Sequence, residues 1–126
     1  DLPHGDFAPH LAHFLVACDD GGAVIGAVGA ELCAPDALLR SLVVAPAWRG
    51  AGVGGGLVRR LEAAAGAWGV GRWWLLTTTA AAFFRARGFG EVPRAAAPPG
   101  IRGTEQFGGG CGGSAVCLTR ERRNAT

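Results

Sequence analysis

Residues 38–62 read LLRSLVVAPAWRGAGVGGGLVRRLE, and the order of chemistry within them decides the fold. The apolar run 38–44, broken by the single charge of Arg40, reads as a strand. Pro46-Ala47-Trp48 ends it, because proline supplies no backbone donor to a strand ladder. Arg49 then opens a segment with glycine at 50, 52, 54, 55 and 56, and an amphipathic helix follows. Glycine tolerates positive φ, so the backbone can turn tightly at the helix entrance with successive N–H groups aimed at one point. The positive end of the helix dipole adds to that field. The stretch is a cradle for an anion such as phosphate.

Three kinds of phosphate loop compete for this pattern. A nucleoside-triphosphate loop needs a lysine to reach the terminal phosphates, and the chain contains no lysine. The dinucleotide fingerprint G-x-G-x-x-G is met literally by Gly50, Gly52 and Gly55, but it should follow its strand directly and be followed about 20 residues on by an acid for the ribose. Here residues 46–49 intervene and the next strand, 73–77, ends in threonines, so this match is read as accidental. The third pattern, Arg/Gln-x-x-Gly-x-Gly/Ala, is met by Arg49, Gly52 and Gly54 after a Leu-x-Val strand and an x-Pro turn. This arrangement resembles the acetyl-CoA loop of the GNAT acyltransferase superfamily. The resemblance implies that acetyl-CoA is the cofactor and that its pyrophosphate lies on the backbone of Arg49, Gly50, Ala51, Gly52, Val53, Gly54 and Gly55.

Composition bounds the rest. A chain of 126 residues, 49% hydrophobic and 17% charged, is long and apolar enough to bury one core, so residues 1–126 read as a single domain with a polar tail at 121–126. A net charge of +2 with scattered arginines argues against a nucleic-acid partner. No apolar run approaches the roughly 20 residues that span a bilayer, and no basic-then-apolar leader opens the chain. The expectation is a cytoplasmic protein without a membrane partner. Cys18, Cys33, Cys111 and Cys117 form no C-x-x-C pair and sit among apolar residues, which favours buried thiols over disulfides or zinc. His10 and His13 stand three apart but have no third ligand nearby, so no metal is expected. The chain has no methionine and starts at Asp1, which reads as a fragment.

Taken in order, Asp6 is a plausible N-cap for a short helix through Leu11. Residues 13–18 and 23–33 flank Asp19-Asp20-Gly21-Gly22, a hairpin signal. Gly26 and Gly29 point to a bulge or a close backbone approach. A turn at 34–36 leads into the 38–44 strand, completing an antiparallel meander. Leu57, Leu61, Ala64 and Trp68 recur at helical spacing, Arg59, Arg60 and Glu62 lie on the polar side, and Gly69 ends the helix. Residues 72–77 read as a buried strand, parallel to the central one because a right-handed crossover joins them. Thr77-Thr78-Thr79 offers a cap for a helix over 80–87, closed by Gly88. A helical turn is expected within 99–107 and a last strand over 114–120.

The second half extends the resemblance. Residues 38–44, Leu75-Leu76-Thr77-Thr78-Thr79, Phe83-Phe84-Arg85-Ala86-Arg87-Gly88-Phe89, and Pro99-Gly100-Ile101-Arg102 with Thr104, Phe107, Cys111 and Ser114-Ala115 together look like the arsenic-resistance N-acetyltransferase branch of GNATs, over about residues 7–120. Gly112 and Gln106 depart from that branch, where proline and glutamate are expected. The implied architecture is an α/β mixed sheet of the GNAT acyl-CoA N-acyltransferase fold, lacking the usual N-terminal strand and first helix. The implied reaction is direct acetyl transfer to a primary amine of a small molecule, an amino acid carrying an arsenic- or phosphorus-containing side group among the acceptors. A homodimer is compatible with it.

Such a reaction needs a pyrophosphate cradle, a donor for the thioester oxygen, a path for the ammonium proton and a substrate clamp. By resemblance, Leu42, Val43 and Val44 offer backbone groups to the pantetheine arm and acetyl carbonyl. Thr77 stands where an asparagine is common and Phe84 where a tyrosine donates to the leaving thiolate; both count as cofactor-binding candidates. The catalytic candidates are Glu31, Arg40 and Ser41. Arg40, given the same strand parity as Leu42 and Val44, is a clamp for a substrate oxyanion, or else a cross-strand partner of Glu31. Glu31 is the carboxylate best placed to take the proton, directly or through water. The rival readings are a non-catalytic acyl-CoA-binding domain and a dinucleotide-binding fragment.

Overall fold

The computed structural model describes residues 11–104 and 115–123. In chain order these form β1 (Leu11–Cys18), β2 (Val24–Cys33), β3 (Asp36–Val44), α1 (Val53–Ala65), β4 (Arg72–Thr77), α2 (Ala81–Arg85), β5 (Gly90–Val92), α3 (Pro99–Arg102) and β6 (Val116–Glu121). One mixed six-stranded sheet runs β1-β2-β3-β4-β6-β5, in which β3 and β4 are parallel and the other neighbours antiparallel. The hairpin, meander and crossover expected from the sequence are all present. Leu11 opens β1 instead of closing a helix; the expected capping residue Asp6 lies outside the described residues, as do His10, Gln106, Phe107, Cys111, Gly112 and Ser114. The helical turn expected within 99–107 is confined, among the described residues, to α3.

Local chemistry sets the turns. Asp19 Oδ1 accepts the backbone N–H groups of Gly21 at 2.9 Å and Ala23 at 3.0 Å, and Gly22 takes φ +90°, which folds β1 onto β2. The carbonyl of Pro35 accepts from Gly71 at 2.6 Å and Arg72 at 3.2 Å, pinning the start of β4 beside the start of β3. Gly69, at φ +79°, ends the turn that follows α1.

The sheet carries an apolar layer on each face. On one side α1 lays Leu57, Val58, Leu61 and Ala65 over Val28, Ala30, Leu39, Trp73 and Leu75. On the other, Ile101 of α3 packs with Leu38, Trp74, Leu76 and Cys117. Each large aliphatic side chain buried this way contributes about 1.5–3 kcal/mol. His13 of β1 stacks on Trp68 with ring centroids 4.2 Å apart, so its imidazole serves packing on the α1 side.

One expectation for α1 is corrected. Glu62 is buried, not solvated: its Oε2 accepts from Trp73 Nε1 at 3.1 Å and from the backbone N–H of Arg123 at 3.2 Å, and it pairs with Arg120. Arg120 in turn donates to the Arg87 carbonyl at 2.6 Å and lies over the Phe89 ring. A charge falls on the buried stripe because the partner on β6 neutralises it there.

Two irregularities shape the middle of the sheet. Gly29 pairs with Arg40 and Ala27 with Val43, so β2 spends one residue where β3 spends Ser41 and Leu42. Ser41 sits at φ +60°, a left-handed conformation that costs a non-glycine residue on the order of 1–2 kcal/mol, and the result is a β-bulge. Gly29 also lies directly under the Phe14 ring, and Gly26 lies against Val53 and Leu57 of α1, so both glycines answer the expected close approach. The second irregularity is a short ladder. β3 and β4 pair only at Asp36↔Arg72, Ala37↔Trp73 and Leu38↔Trp74, although both strands run on. Beyond Leu38 they part.

Candidate functional site

The cradle is assembled where β3 ends. The N–H of Ala45 donates to the Ile25 carbonyl at 2.8 Å, Pro46–Trp48 makes a single 3-10 turn, and the chain enters α1 through Gly50 at φ +84° and Gly52 at φ +87°. A Cβ at either glycine would meet nothing within 4 Å. Their need for glycine is conformational, then, and not steric. Gly54, Gly55 and Gly56 were expected in the turn; they belong to the first turn of α1, which begins at Val53 with Gly52 as its N-cap. The first N–H groups of a helix have no partner within it. Here no side chain caps them and no acidic residue stands in the first turn, so the amides and the helix dipole are left for an anion.

These groups border a cleft of about 820 Å³. Its lining includes Leu42 and Val44 of β3, Arg49 and the glycines of the loop, and Phe83 and Arg87 of the α2 segment, which lie close to Gly54 and Gly55 of α1. Arg49 Nε donates to the Val44 carbonyl at 3.3 Å, which holds the loop's first cation against the end of β3. No carboxylate lines the cleft. Next to it, a smaller pocket of about 160 Å³ occupies the split between the strands and is bounded by Leu39, Arg40, Ser41, Leu42, Thr77 and Phe84, among others. Strand edges that lack a partner strand expose N–H and C=O groups, so the split offers hydrogen bonds to an extended ligand.

The expected site residues fall into three places. Gly50, Gly52, Val53, Gly54, Gly55, Arg49, Leu42, Val43 and Val44 all border the larger cleft, and Ala51 lies in the loop between Gly50 and Gly52. Thr77 lies at the split, where its Oγ1 accepts from the N–H of Thr79 at 3.3 Å and Ala80 at 2.8 Å and so closes the turn before α2; the expected threonine cap is not formed, because Ala80 is the N-cap and no side chain caps the helix. Phe84 is buried, edge-on to Phe83 and Phe89, with one side reaching the split.

Arg40, Ser41 and Glu31 form the third group, and here a parity expectation is corrected. The bulge at Ser41 shifts the alternation of β3 by one residue. Leu42 packs with Leu39 on the α1 side of the sheet, and Arg40 stays on the opposite face with Leu38. There Arg40 pairs with Glu31, both partly exposed, while still bordering the split. Ser41 is exposed at the bulge.

Sequence reading missed Trp48, Thr79, Ala80, Phe83 and Arg87 as cleft residues. For Phe83 and Arg87 a signal existed: spacing of four on a helical turn places a ring under a guanidinium. The cysteines were expected to be buried. Cys117 is, Cys33 is partly so, and Cys18 is exposed. Burial raises the Cys117 thiol above its ordinary pKa, partly opposed by Arg94; burial, then Glu31 and Asp36, raise Cys33. Neither thiol borders the clefts. Among the described residues no cluster of His, Cys, Asp and Glu could hold a metal ion, and no helix is long and apolar enough to cross a membrane.

The mixed sheet splits its parallel pair beside a glycine-rich helix entrance, an α/β arrangement with an anion cradle at the split. The family model for the acetyltransferase (GNAT) domain matches residues 10–91, well over half of the chain. The chain belongs to the GNAT acetyltransferase family. The fold agrees with solved structures. N-acetylglutamate synthase from Neisseria gonorrhoeae, complexed with coenzyme A and N-acetyl-glutamate, superimposes with a TM-score of 0.77 at 22% identity, over 88% of this chain and 26% of that one. A GNAT-family acetyltransferase from Staphylococcus aureus Mu50 gives 0.74 at 17% identity, over 89% and 69%. The PaiA N-acetyltransferase from Thermoplasma acidophilum, in complex with coenzyme A, gives 0.68 at 19%, over 87% and 60%. The chain thus spans about a quarter of the length of the synthase. No curated protein sequence matches it.

Proposed function

We propose that this domain transfers the acetyl group of acetyl-CoA directly to a primary amine of a small molecule. The observation that carries the reading is the continuity of the split between β3 and β4 with the amide cradle at Gly52–Gly55. Along that path the first-turn amides of α1 would hold a diphosphate, the open edge of β3 would hold the pantetheine arm, and the split would receive the thioester. When bound, acetyl-CoA supplies the activated acyl carbon. The residues of this chain hold the diphosphate, offer backbone N–H groups of β3 to the carbonyl oxygen, and exclude water with Leu42, Leu75 and Phe84. The amine nitrogen bonds to the acyl carbon, the C–S bond breaks, and the coenzyme leaves as a thiolate. The ammonium proton is lost before attack, and the second proton leaves nitrogen as the amide forms and neutralises the departing thiolate.

For the acceptor, we propose an amino acid bearing an oxyanionic side group, of which arsenic- and phosphorus-containing glutamate analogues are members. Support comes from Arg40, a cation bordering the split whose partner is Glu31. A substrate oxyanion that takes Arg40 in bidentate fashion releases Glu31, which is then free to accept the ammonium proton directly or through water. Ser41 faces the same opening. Acetylation removes the ammonium charge by which such amino acids are recognised.

The test is acetyl-CoA-dependent release of free thiol over a panel of amino acids, polyamines, and organoarsenical or phosphinic amino acids. Release with acidic amino acids is expected, together with a flat titration against NADH. CoA binding without thiol release on any amine would instead support a non-catalytic acyl-CoA-binding domain. That second reading draws on Phe84, which brings no hydroxyl to the leaving thiolate.

A further inference from the structure

We infer that Arg87 is a second cationic grip on the coenzyme's diphosphate, closing over the amide cradle from the α2 side; the inference rests on the coenzyme-binding reading above. Three observations place it there. Its guanidinium carbon lies 3.7 Å from the centroid of the Phe83 ring, which holds the planar group flat against one wall of the cleft. Its Nη1 donates to the Phe83 carbonyl at 3.0 Å, fixing the other end of the fork. Its Nη2 reaches across to the first turn of α1, where a Cβ built on Gly55 would be only 2.7 Å from it.

The guanidinium therefore lies beside the first turn of α1, at Gly55, and lines the same cleft as the loop glycines. Among the described residues no carboxylate pairs with Arg87, in contrast to Arg40, Arg72, Arg85 and Arg120. A half-buried cation without an anion, braced on an aromatic face and opposite a helix entrance free of acids, is arranged to receive one. Arg49 grips from the loop; Arg87 grips from the α2 side, between the Phe83 ring and Gly55. Gly55 fits this arrangement as well, since only a residue without a side chain leaves the guanidinium its place.

The coenzyme carries a diphosphate and a 3′-phosphate, and both are anions a guanidinium can bind. Arg87 is assigned to the diphosphate because it lies over Gly55, in the turn whose amides face the cradle. Calorimetry of CoA and of 3′-dephospho-CoA against the wild type and Arg87→Met separates the sources. Methionine keeps the stem and its contact with Phe83. The expected result is a 10- to 100-fold weaker Kd for both ligands, the range for losing charged hydrogen bonds, with a shallower dependence on salt. Steady-state rates should show KM for acetyl-CoA raised with kcat little changed, a split that loss of folding would not produce, and thermal melting of the unliganded variant checks the fold. Arg87→Lys should recover part of the affinity. If the wild type binds CoA and Arg87→Met binds it equally well, the inference is overturned. A loss seen with CoA but absent with 3′-dephospho-CoA overturns the diphosphate assignment. If the wild type binds neither ligand, it is the coenzyme-binding reading that fails.

Discussion

Replacing Glu62 with methionine tests how far the catalytic architecture depends on one buried ion pair. Glu62 sits on the sheet side of α1 and takes three donors on Oε2: Trp73 Nε1 from β4, the backbone N–H of Arg123, and the Arg120 guanidinium from β6. Loss of the carboxylate strands the Trp73 indole N–H in the core. It also leaves Arg120 buried with, among the described residues, only the carbonyls of Arg87 and Glu121 as acceptors. Removing one member of a buried pair costs about 3–5 kcal/mol, which for a domain of this size lowers Tm by on the order of 10–20 °C. Replacing both residues, as Glu62→Met with Arg120→Met, removes the stranded charge. The double variant should recover most of that loss, giving a coupling of about 2–3 kcal/mol in a double-mutant cycle. Urea unfolding followed by tryptophan fluorescence reads all four proteins, and Trp73 reports on the site itself. A single variant that loses less than about 1 kcal/mol, or a double variant whose losses simply add, would refute the argument that the pair neutralises a charge otherwise paid for by desolvation.

Gly52→Ala should cost about 1 kcal/mol and weaken CoA binding, because φ +87° is imposed at a position with open space around it. Gly54→Ala, inside the first turn of α1, should leave stability unchanged or raise it by up to about 1 kcal/mol; equal effects on melting at the two positions would contradict the assignment of the helix start. Arg40→Gln should cost less than about 1 kcal/mol, since its pair with Glu31 is partly exposed, yet raise KM for acidic acceptors while leaving the Kd for CoA unchanged; a matching loss of CoA affinity would count against the clamp. Thiol labelling mapped by mass spectrometry should modify exposed Cys18 before Cys33 and Cys117 at pH 7. Cys33 and Cys117, with raised pKa values, hold less thiolate at any given pH and should gain reactivity only as pH rises further. Labelling of Cys117 as fast as Cys18 at pH 7 would show that it is not shielded.

Much of this molecule is written in local chemistry. Asp19 with Gly22 specifies a hairpin turn, the glycines at 50 and 52 specify a left-handed entrance to α1, and an apolar 72–77 strand after a helix specifies a parallel crossover. Each depends on residues within a few positions of one another, so the GNAT architecture and the glycine-rich entrance to α1 could be read before any coordinates. What the sequence could not carry is register between strands far apart in the chain. Alternation along β3 placed Arg40 beside Leu42, but the sheet settles the register with an extra residue at Ser41 and turns Arg40 to the other face, toward Glu31. A helical pattern placed Glu62 outside, but a guanidinium 58 residues later draws it in. Arg87 came over Gly55 only once α2 and α1 had packed on the same sheet. Backbone preference is set by neighbours in the chain; the pairing of buried charges and the seat of a cation over a cradle are set by neighbours in space, and only the folded sheet brings those together.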